Sequence, residues 1–164
     1  MRPLLGAMGA FLAILSFAPP AHAVPDGDLH VYLEHLEPLQ LEWPVDGTVT
    51  DGFGPRWGRM HLGIDIGILR SLDVAAAASG TVVQTGYLAG YEGYGIVAVV
   101  DVGDGHSLLY AHLSGLDVQP GQWISRGERI GTAGCTGSCT GTHLHFELRR
   151  HGIPIDPASF LPPA

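Results

Sequence analysis

The chain has 164 residues, enough for one domain with a hydrophobic core and too few to make two domains expected. Its 24 glycines and 12 prolines indicate many turns and short elements, which favours β structure over helices. The formal charge of −8 leaves no electrostatic reason to bind nucleic acid or an anionic membrane surface.

The first 23 residues have the parts of a secretory signal peptide. Arg2 supplies the positive charge, residues 4–17 form an apolar run, and Ala-His-Ala at 21–23 fits the small-x-small cleavage rule. An uncleaved membrane anchor is the alternative, but the run is shorter than the ~18 residues needed to cross a bilayer. No cysteine lies near the cleavage site, which argues against a lipoprotein anchor. We therefore expect an exported protein, periplasmic or extracellular, that begins at Val24 without a stable membrane anchor.

Residues 24–43 form a short leader after the signal peptide. Apolar residues recur in it at helical spacing, at Leu29, Tyr32, Leu33 and Leu36. Asp28 is suited to cap the start of such a helix, and Pro38 lies beyond its end. The pattern predicts one short helix.

Residues 44–164 consist of short apolar runs that alternate with glycine-containing turn signals. Strands are predicted over 45–50, 62–66, 73–77, 80–87, 95–101, 107–113, 130–134 and 143–149. No stretch is long and periodic enough for a helix. The predicted fold class is therefore all-β, a compact antiparallel domain with two sheets or a partly open barrel, and we expect a monomer.

Cys135 and Cys139 are the only cysteines. Export would place them in an oxidising compartment, where a disulfide is the expected state. A structural zinc site is a weaker interpretation, because two cysteines do not complete one. So small a ring contributes only about 2 kcal/mol by chain entropy. We expect its importance to be local, because it stiffens the loop before His143 and His145.

The segment 61–66 carries the first pair of candidate metal ligands. As one strand it would place His61, Gly63 and Asp65 on one face, with the glycine leaving room for an imidazole and a carboxylate to converge on one ion. A chance pairing among nine histidines is the alternative explanation.

Two further segments add three histidines. In residues 143–147, His143, His145 and Glu147 would share a face while the residues between them enter the core. His112 ends the apolar strand 107–113, where a packed histidine is the ordinary interpretation. A catalytic zinc takes three protein ligands and leaves one position for water. His61, Asp65 and one of the pair 143/145 would form that set, which leaves the other histidines for acid–base work.

Together these segments carry a family resemblance. His61-x₃-Asp65, Tyr110-Ala-His112-Leu-Ser114 and His143-x-His145-Phe-Glu147 resemble, in order and spacing, the three motifs of the lysostaphin/LytM peptidases, metallopeptidase family 23. The flanks agree as well, at residues 53–56, 121, 126–128, 130–131 and 156–157. The similarity runs from about Pro44 to Leu161, nearly the whole mature chain.

The resemblance implies that His61, Asp65 and His145 bind one zinc ion and that His112 and His143 are the catalytic histidines. It implies a zinc metalloendopeptidase that cuts peptide bonds in peptidoglycan cross-links or stem peptides. The implied fold is a compact antiparallel β domain of the duplicated hybrid motif type, with the metal in a groove over a sheet. Zinc would activate water and polarise the scissile carbonyl, and the two histidines would move a proton and stabilise the oxyanion. Which histidine does which is left open.

Two other functions were weighed against this one. A non-catalytic family member that activates another wall hydrolase would typically lack a metal ligand, and this chain lacks none. A carrier or phosphotransfer domain of related β fold conflicts with export and with the complete ligand set. Residues 70–74 and Thr142 depart from the family pattern, and these departures concern the shape of the groove rather than the five key residues.

Overall fold

The computed structural model describes residues 39–163, so the predicted signal peptide, its cleavage site and the helix of the leader lie outside the described residues. Within residues 39–163 the strands are β1 Thr48–Asp51, β2 Gly54–Arg56, β3 Arg59–His61, β4 Ile64–Gly67, β5 Asp73–Ala75, β6 Gly80–Tyr87, β7 Ile96–Gly103, β8 His106–Leu116, β9 Trp123–Ile124, β10 Arg129–Ala133, β11 Leu144–Arg150 and β12 Ile153–Ile155. Two 3₁₀ helices, Glu92–Tyr94 and Pro157–Phe160, are the helical elements of this part of the chain. Neither has the length or apolar character to cross a membrane.

Ten of the strands form one open, antiparallel sheet. Its main path is β1-β4-β11-β8-β7-β6-β9, with β10 paired to β8 and β5, and β12 paired to β11. Strands β2 and β3 form a separate two-stranded sheet. The predicted all-β, antiparallel fold is confirmed, and the strands do not close into a barrel.

The two central strands, β8 and β11, are buried on both faces. On one face Leu108, Tyr110 and Phe146 enter the main hydrophobic core, because alternate residues of a strand point to the same side. On the other face Leu109 and Ala111 belong to a second, smaller apolar cluster. His145, the register partner of Ala111, therefore lies on a strand that is packed on both faces.

The predicted strand over residues 62–66 is wrong, because these residues do not form one continuous strand. Strand pairing in the small sheet ends at His61 in β3. Pairing resumes at Ile64 in β4, which lies in the large sheet between β1 and β11. The reason for a glycine at position 63 therefore also differs from the predicted one, which was to leave room between His61 and Asp65. A Cβ at Gly63 would lie 2.3 Å from the carbonyl oxygen of Phe146, so glycine is required there for close approach to β11.

The remaining predicted strands are present, with ends that differ by up to three residues. Strands β2, β3, β9 and β12 were not predicted. Each has only two or three residues, which is too short for a period of two to be recognised.

Candidate active site

Asp65 and His145 are brought together by strand pairing. They are direct partners in the register of β4 and β11, so their side chains lie next to each other on one face of the sheet. Asp65 Oδ1 lies 2.8 Å from His145 Nδ1. From the end of β3, His61 Nε2 lies 3.2 Å from the same carboxylate oxygen and 3.1 Å from His145 Nδ1.

These three side chains form a set that fits a metal ion. One ligand atom from each of His61, Asp65 and His145 lies within 4.8 Å of the others. Both imidazoles are almost fully buried. Two nitrogens and one carboxylate around a common point match the three-ligand arrangement of a catalytic zinc with an open fourth position.

The outer nitrogens of both imidazoles are already hydrogen-bonded. His61 Nδ1 donates to the carbonyl of Gly52 at 2.6 Å, and His145 Nε2 donates to Glu147 Oε1 at 3.0 Å. Each ring therefore turns its other nitrogen toward the common point. Bonds of this kind orient metal-binding histidines and select their tautomer.

Glu147 is the centre of a buried polar network, which the sequence analysis did not predict. Besides the bond from His145, it accepts hydrogen bonds from Tyr94 Oη at 2.6 Å and from Arg149 Nε at 2.7 Å. Burial by itself raises the pKa of Glu147, but these three donors hold it below its ordinary value. The alternation in residues 143–147 placed Glu147 on the correct face without indicating its partners.

The carboxylate of Asp65 also remains ionised. Burial raises its pKa, but the hydrogen bond and charge of His145, together with His61, bring that pKa well below the usual range. Its second oxygen accepts from Arg56 Nη1 at 3.2 Å. Burial lowers the pKa of His145, whereas the hydrogen bonds and charges of Asp65 and Glu147 raise it above the ordinary value.

His112 and His143 form a second pair beside the cluster. Their ring centroids are 4.7 Å apart, and His112 lies 6.0 Å from the ring of His145. His143 Nε2 is 3.7 Å from Asp65 Oδ1. Both Nδ1 atoms donate to main-chain carbonyls at 2.8 Å, those of Thr136 and Gly141 respectively, which leaves each Nε2 available.

A β-bulge gives His112 its direction. Ala98 of β7 pairs with Tyr110 and Ile96 with Leu113, so β8 has one more residue than β7 between these pairs. His112 adopts a φ of 60°, a left-handed conformation that is rare for a side-chain-bearing residue. Bulges next to active sites characteristically re-aim a side chain. Burial lowers the pKa of His112, which favours a neutral imidazole.

An open cleft adjoins both groups of side chains. It has a volume of about 260 Å³, and its lining includes Asp65, His143, Ile68 and residues 140–142. Cys135 and Cys139 are joined by a disulfide just before this last segment, with a Cα–Cα distance of 5.3 Å. The five residues named by the sequence motifs thus lie in one region, and Asp65 and His143 of this set face the cleft.

Comparison with known proteins agrees with this arrangement. The model of peptidase family M23 matches residues 59–157. A lipoprotein NlpD/LppB homolog of Pseudomonas aeruginosa is 38% identical over 120 residues, which cover 73% of this chain and 39% of that protein. Murein hydrolase activator NlpD of Salmonella dublin is 36% identical over 120 residues, 73% of this chain and 31% of its own length. The DD-carboxypeptidase/endopeptidase Mpg of Neisseria meningitidis is 38% identical over 132 residues, 76% of this chain and 28% of its own.

Two solved structures share the fold. A zinc-containing peptidase from Vibrio cholerae has a TM-score of 0.66 and 31% identity, covering 74% of this chain and 40% of that one. The catalytic domain of the antimicrobial peptidase lysostaphin from Staphylococcus simulans has a TM-score of 0.59 and 34% identity, covering 66% and 87%. The chain spans less than two fifths of the length of each of the three relatives above. Because the family match covers more than half of the chain and includes the whole cluster, this protein belongs to peptidase family M23.

Proposed function

We propose that this protein is an exported zinc metalloendopeptidase that hydrolyses peptide bonds in the cross-links or stem peptides of peptidoglycan. The observation that carries the proposal is the convergence of His61, Asp65 and His145 beside the pair His112 and His143. The similarity to the peptidase lysostaphin and to the endopeptidase Mpg supports peptide bonds as the substrate, and the similarity to murein hydrolase activators supports peptidoglycan as the polymer that contains them.

The three residues would hold the ion through His61 Nε2, His145 Nδ1 and the carboxylate of Asp65. Bound there, zinc supplies a Lewis acid that lowers the pKa of water and polarises a carbonyl. The protein contributes the orientation of the ligands. Gly52 and Glu147 hold the two rings, and Arg56 holds the second oxygen of the carboxylate.

The histidine pair supplies proton transfer. Because each Nδ1–H donates to a main-chain carbonyl, Nε2 is the atom of His112 and of His143 that can take up a proton. A ring that accepts a proton from water at Nε2 can return it to the leaving amine, and a protonated ring can donate a hydrogen bond to the oxyanion. Two rings 4.7 Å apart can divide these roles.

A second candidate function is activation of another wall hydrolase. It is favoured by the similarity to proteins named murein hydrolase activators. The intact set of five residues favours the enzyme, because a protein that acts only by contact has no use for an oriented metal site with two further histidines beside it.

Mass spectrometry of fragments released from purified peptidoglycan separates the two functions. We expect the zinc-loaded protein beginning at Val24 to release fragments with new amino and carboxyl termini at a peptide bond. A zinc chelator should abolish the release, and added zinc should restore it. If the zinc-loaded protein releases nothing alone but increases release by an added wall hydrolase, the activator function is correct and the enzyme proposal is wrong.

The buried Glu147 leads to a prediction about metal affinity. Glu147→Gln keeps the size of the side chain but removes the charge that holds His145, so we expect zinc affinity to fall by about 10- to 100-fold. Competition with a chromophoric chelator measures this. Glu128→Gln, on an exposed turn, is the matched control and should bind zinc as the wild type does. Equal zinc affinity in a folded Glu147→Gln variant would show that Glu147 does not orient the ligand.

A further inference from the structure

The loop closed by Cys135 and Cys139, together with the segment that follows it directly, supplies the hydrogen-bond acceptors of both histidines in the catalytic pair. His112 donates to the carbonyl of Thr136, which lies inside the ring. His143 donates to the carbonyl of Gly141, two residues after the ring, and Cys139 Sγ lies 3.7 Å from the same Nδ1. The outer partners of the two ligand imidazoles, Gly52 and Glu147, belong to other parts of the chain.

The first half of this loop is docked tightly on a neighbouring segment. Thr136 Oγ1 accepts from Ile96 N at 2.9 Å and donates to the carbonyl of Leu113 at 2.7 Å. A Cβ at Gly137, whose φ is 72°, would lie 2.4 Å from the nitrogen of Gly95. The ring closed by the disulfide therefore contacts the backbone of Gly95, Ile96 and Leu113 directly. The Thr136 carbonyl that accepts the hydrogen bond from His112 thus has a defined position.

The loop has little hydrophobic packing to hold it. From residue 135 to residue 142 no side chain is buried, and Cys135, Gly137, Ser138 and residues 140–142 are exposed. A segment with few buried apolar contacts opens easily unless it is cross-linked. The disulfide ties Cys139, and with it the chain that leads to Gly141, to the docked half of the loop.

We propose that the Cys135–Cys139 disulfide is a positioning element for the catalytic pair. It holds the Gly141 carbonyl beside the docked Thr136 carbonyl, so that His143 keeps the Nδ1–H tautomer, with Nε2 available to substrate, next to a His112 that is oriented in the same way. Turnover therefore depends on this disulfide, whereas zinc binding by the separate ligand set does not. The proposal rests on the function proposed above for the two histidines.

Reduction of the zinc-loaded protein by a water-soluble phosphine tests the effect on turnover. The S–S bond breaks to give two thiols while phosphorus is oxidised to the phosphine oxide, with the oxygen and both hydrogens taken from water. We expect kcat to fall about tenfold or more, the size of effect that a small misplacement of a catalytic group produces, with zinc content unchanged. Reoxidation should restore kcat.

The double variant Cys135→Ser/Cys139→Ser is the matched control. It should show the lower kcat without any treatment and should not respond to phosphine. It also carries no new thiol that could bind zinc. Full wild-type kcat in either the reduced protein or the folded double variant would overturn the proposal.

Histidine tautomers measured by ¹⁵N NMR provide a readout independent of activity. We expect Nδ1–H forms of His112 and His143 in the zinc-loaded wild type, and a mixture with Nε2–H at His143 in the reduced protein and the double variant, while His61 and His145 stay unchanged. An unchanged tautomer of His143 would contradict the positioning role. If the tautomers change but the wild type does not hydrolyse peptidoglycan, the proposed function is wrong and the positioning role stands.

Discussion

His145→Ala is expected to lose bound zinc and peptidoglycan hydrolysis together. His145 comes from a central strand, is 6% exposed, and its Nδ1 lies within 3.1 Å of atoms of both other ligand residues. Removing it leaves two ligands, and a catalytic zinc site normally has three from the protein. Activity should then be undetectable, because nothing else in the cluster can activate water.

Metal analysis by plasma mass spectrometry, with digestion of peptidoglycan alongside, measures this loss. His106→Ala is the matched control, since His106 lies on the neighbouring strand β8 and outside the cluster. It should keep one zinc ion and full activity. Circular dichroism of both variants shows whether each is folded. A folded His145→Ala protein that retains one zinc ion per chain would contradict the ligand assignment.

His112→Ala and His143→Ala are expected to keep zinc while turnover falls by about 10²-fold or more, the usual cost of losing a positioned acid or base. Both rings are held by main-chain carbonyls, and His143 Nε2 is 3.7 Å from Asp65 Oδ1, beyond a hydrogen bond. The double variant should be little slower than the worse single variant, because residues that act as one unit are not additive.

The same metal analysis and digestion decide this second prediction. Glutamine at each position separates the roles, since its amide can donate a hydrogen bond to an oxyanion but cannot take up a proton. The glutamine variant of the oxyanion-stabilising residue should therefore keep more turnover than that of the general base. Loss of zinc from His143→Ala, or unchanged turnover in either alanine variant, would show that the roles are assigned wrongly.

Because the chain is similar to proteins named as activators, the same variants can also test the activator function. The chain spans 39% or less of the relatives compared above, so their other segments are not represented in the alignment. Loss of zinc without loss of a stimulating effect on another hydrolase would separate a binding surface from the catalytic cluster. The role of the five residues in hydrolysis can therefore be tested separately from any stimulating effect on another hydrolase.

The residues of the site were predictable from local patterns. Alternation in a strand is a property of neighbouring residues, so the segment 143–147 by itself indicated that His145 and Glu147 share a face. The choice of His145 over His143 as a candidate ligand did not follow from these patterns, and only the resemblance to the peptidase family implied it. The all-β, antiparallel fold class was predictable from the turn signals, since glycine-containing turns divide the chain into short strands.

The contacts of the site depended on the tertiary structure. Asp65 and His145 are 80 residues apart and meet only because β4 pairs with β11 in one register. Tyr94, which donates to Glu147 from a 3₁₀ helix, is 53 residues away from it in the sequence. The bulge that directs His112 exists only relative to the register of β7 and β8.

The wrong prediction at residues 62–66 has the same cause. Alternation across His61, Gly63 and Asp65 was read as one strand, and the two ligands do lie together, but they belong to strands of different sheets. What the sequence by itself determined is which residue types occur at which spacing, because side-chain alternation and turn preference act over a few residues. Strand partners and register, and with them the hydrogen bond from His112 to Thr136 and the approach of His61 to His145, were decided by packing between distant segments, which local patterns do not encode.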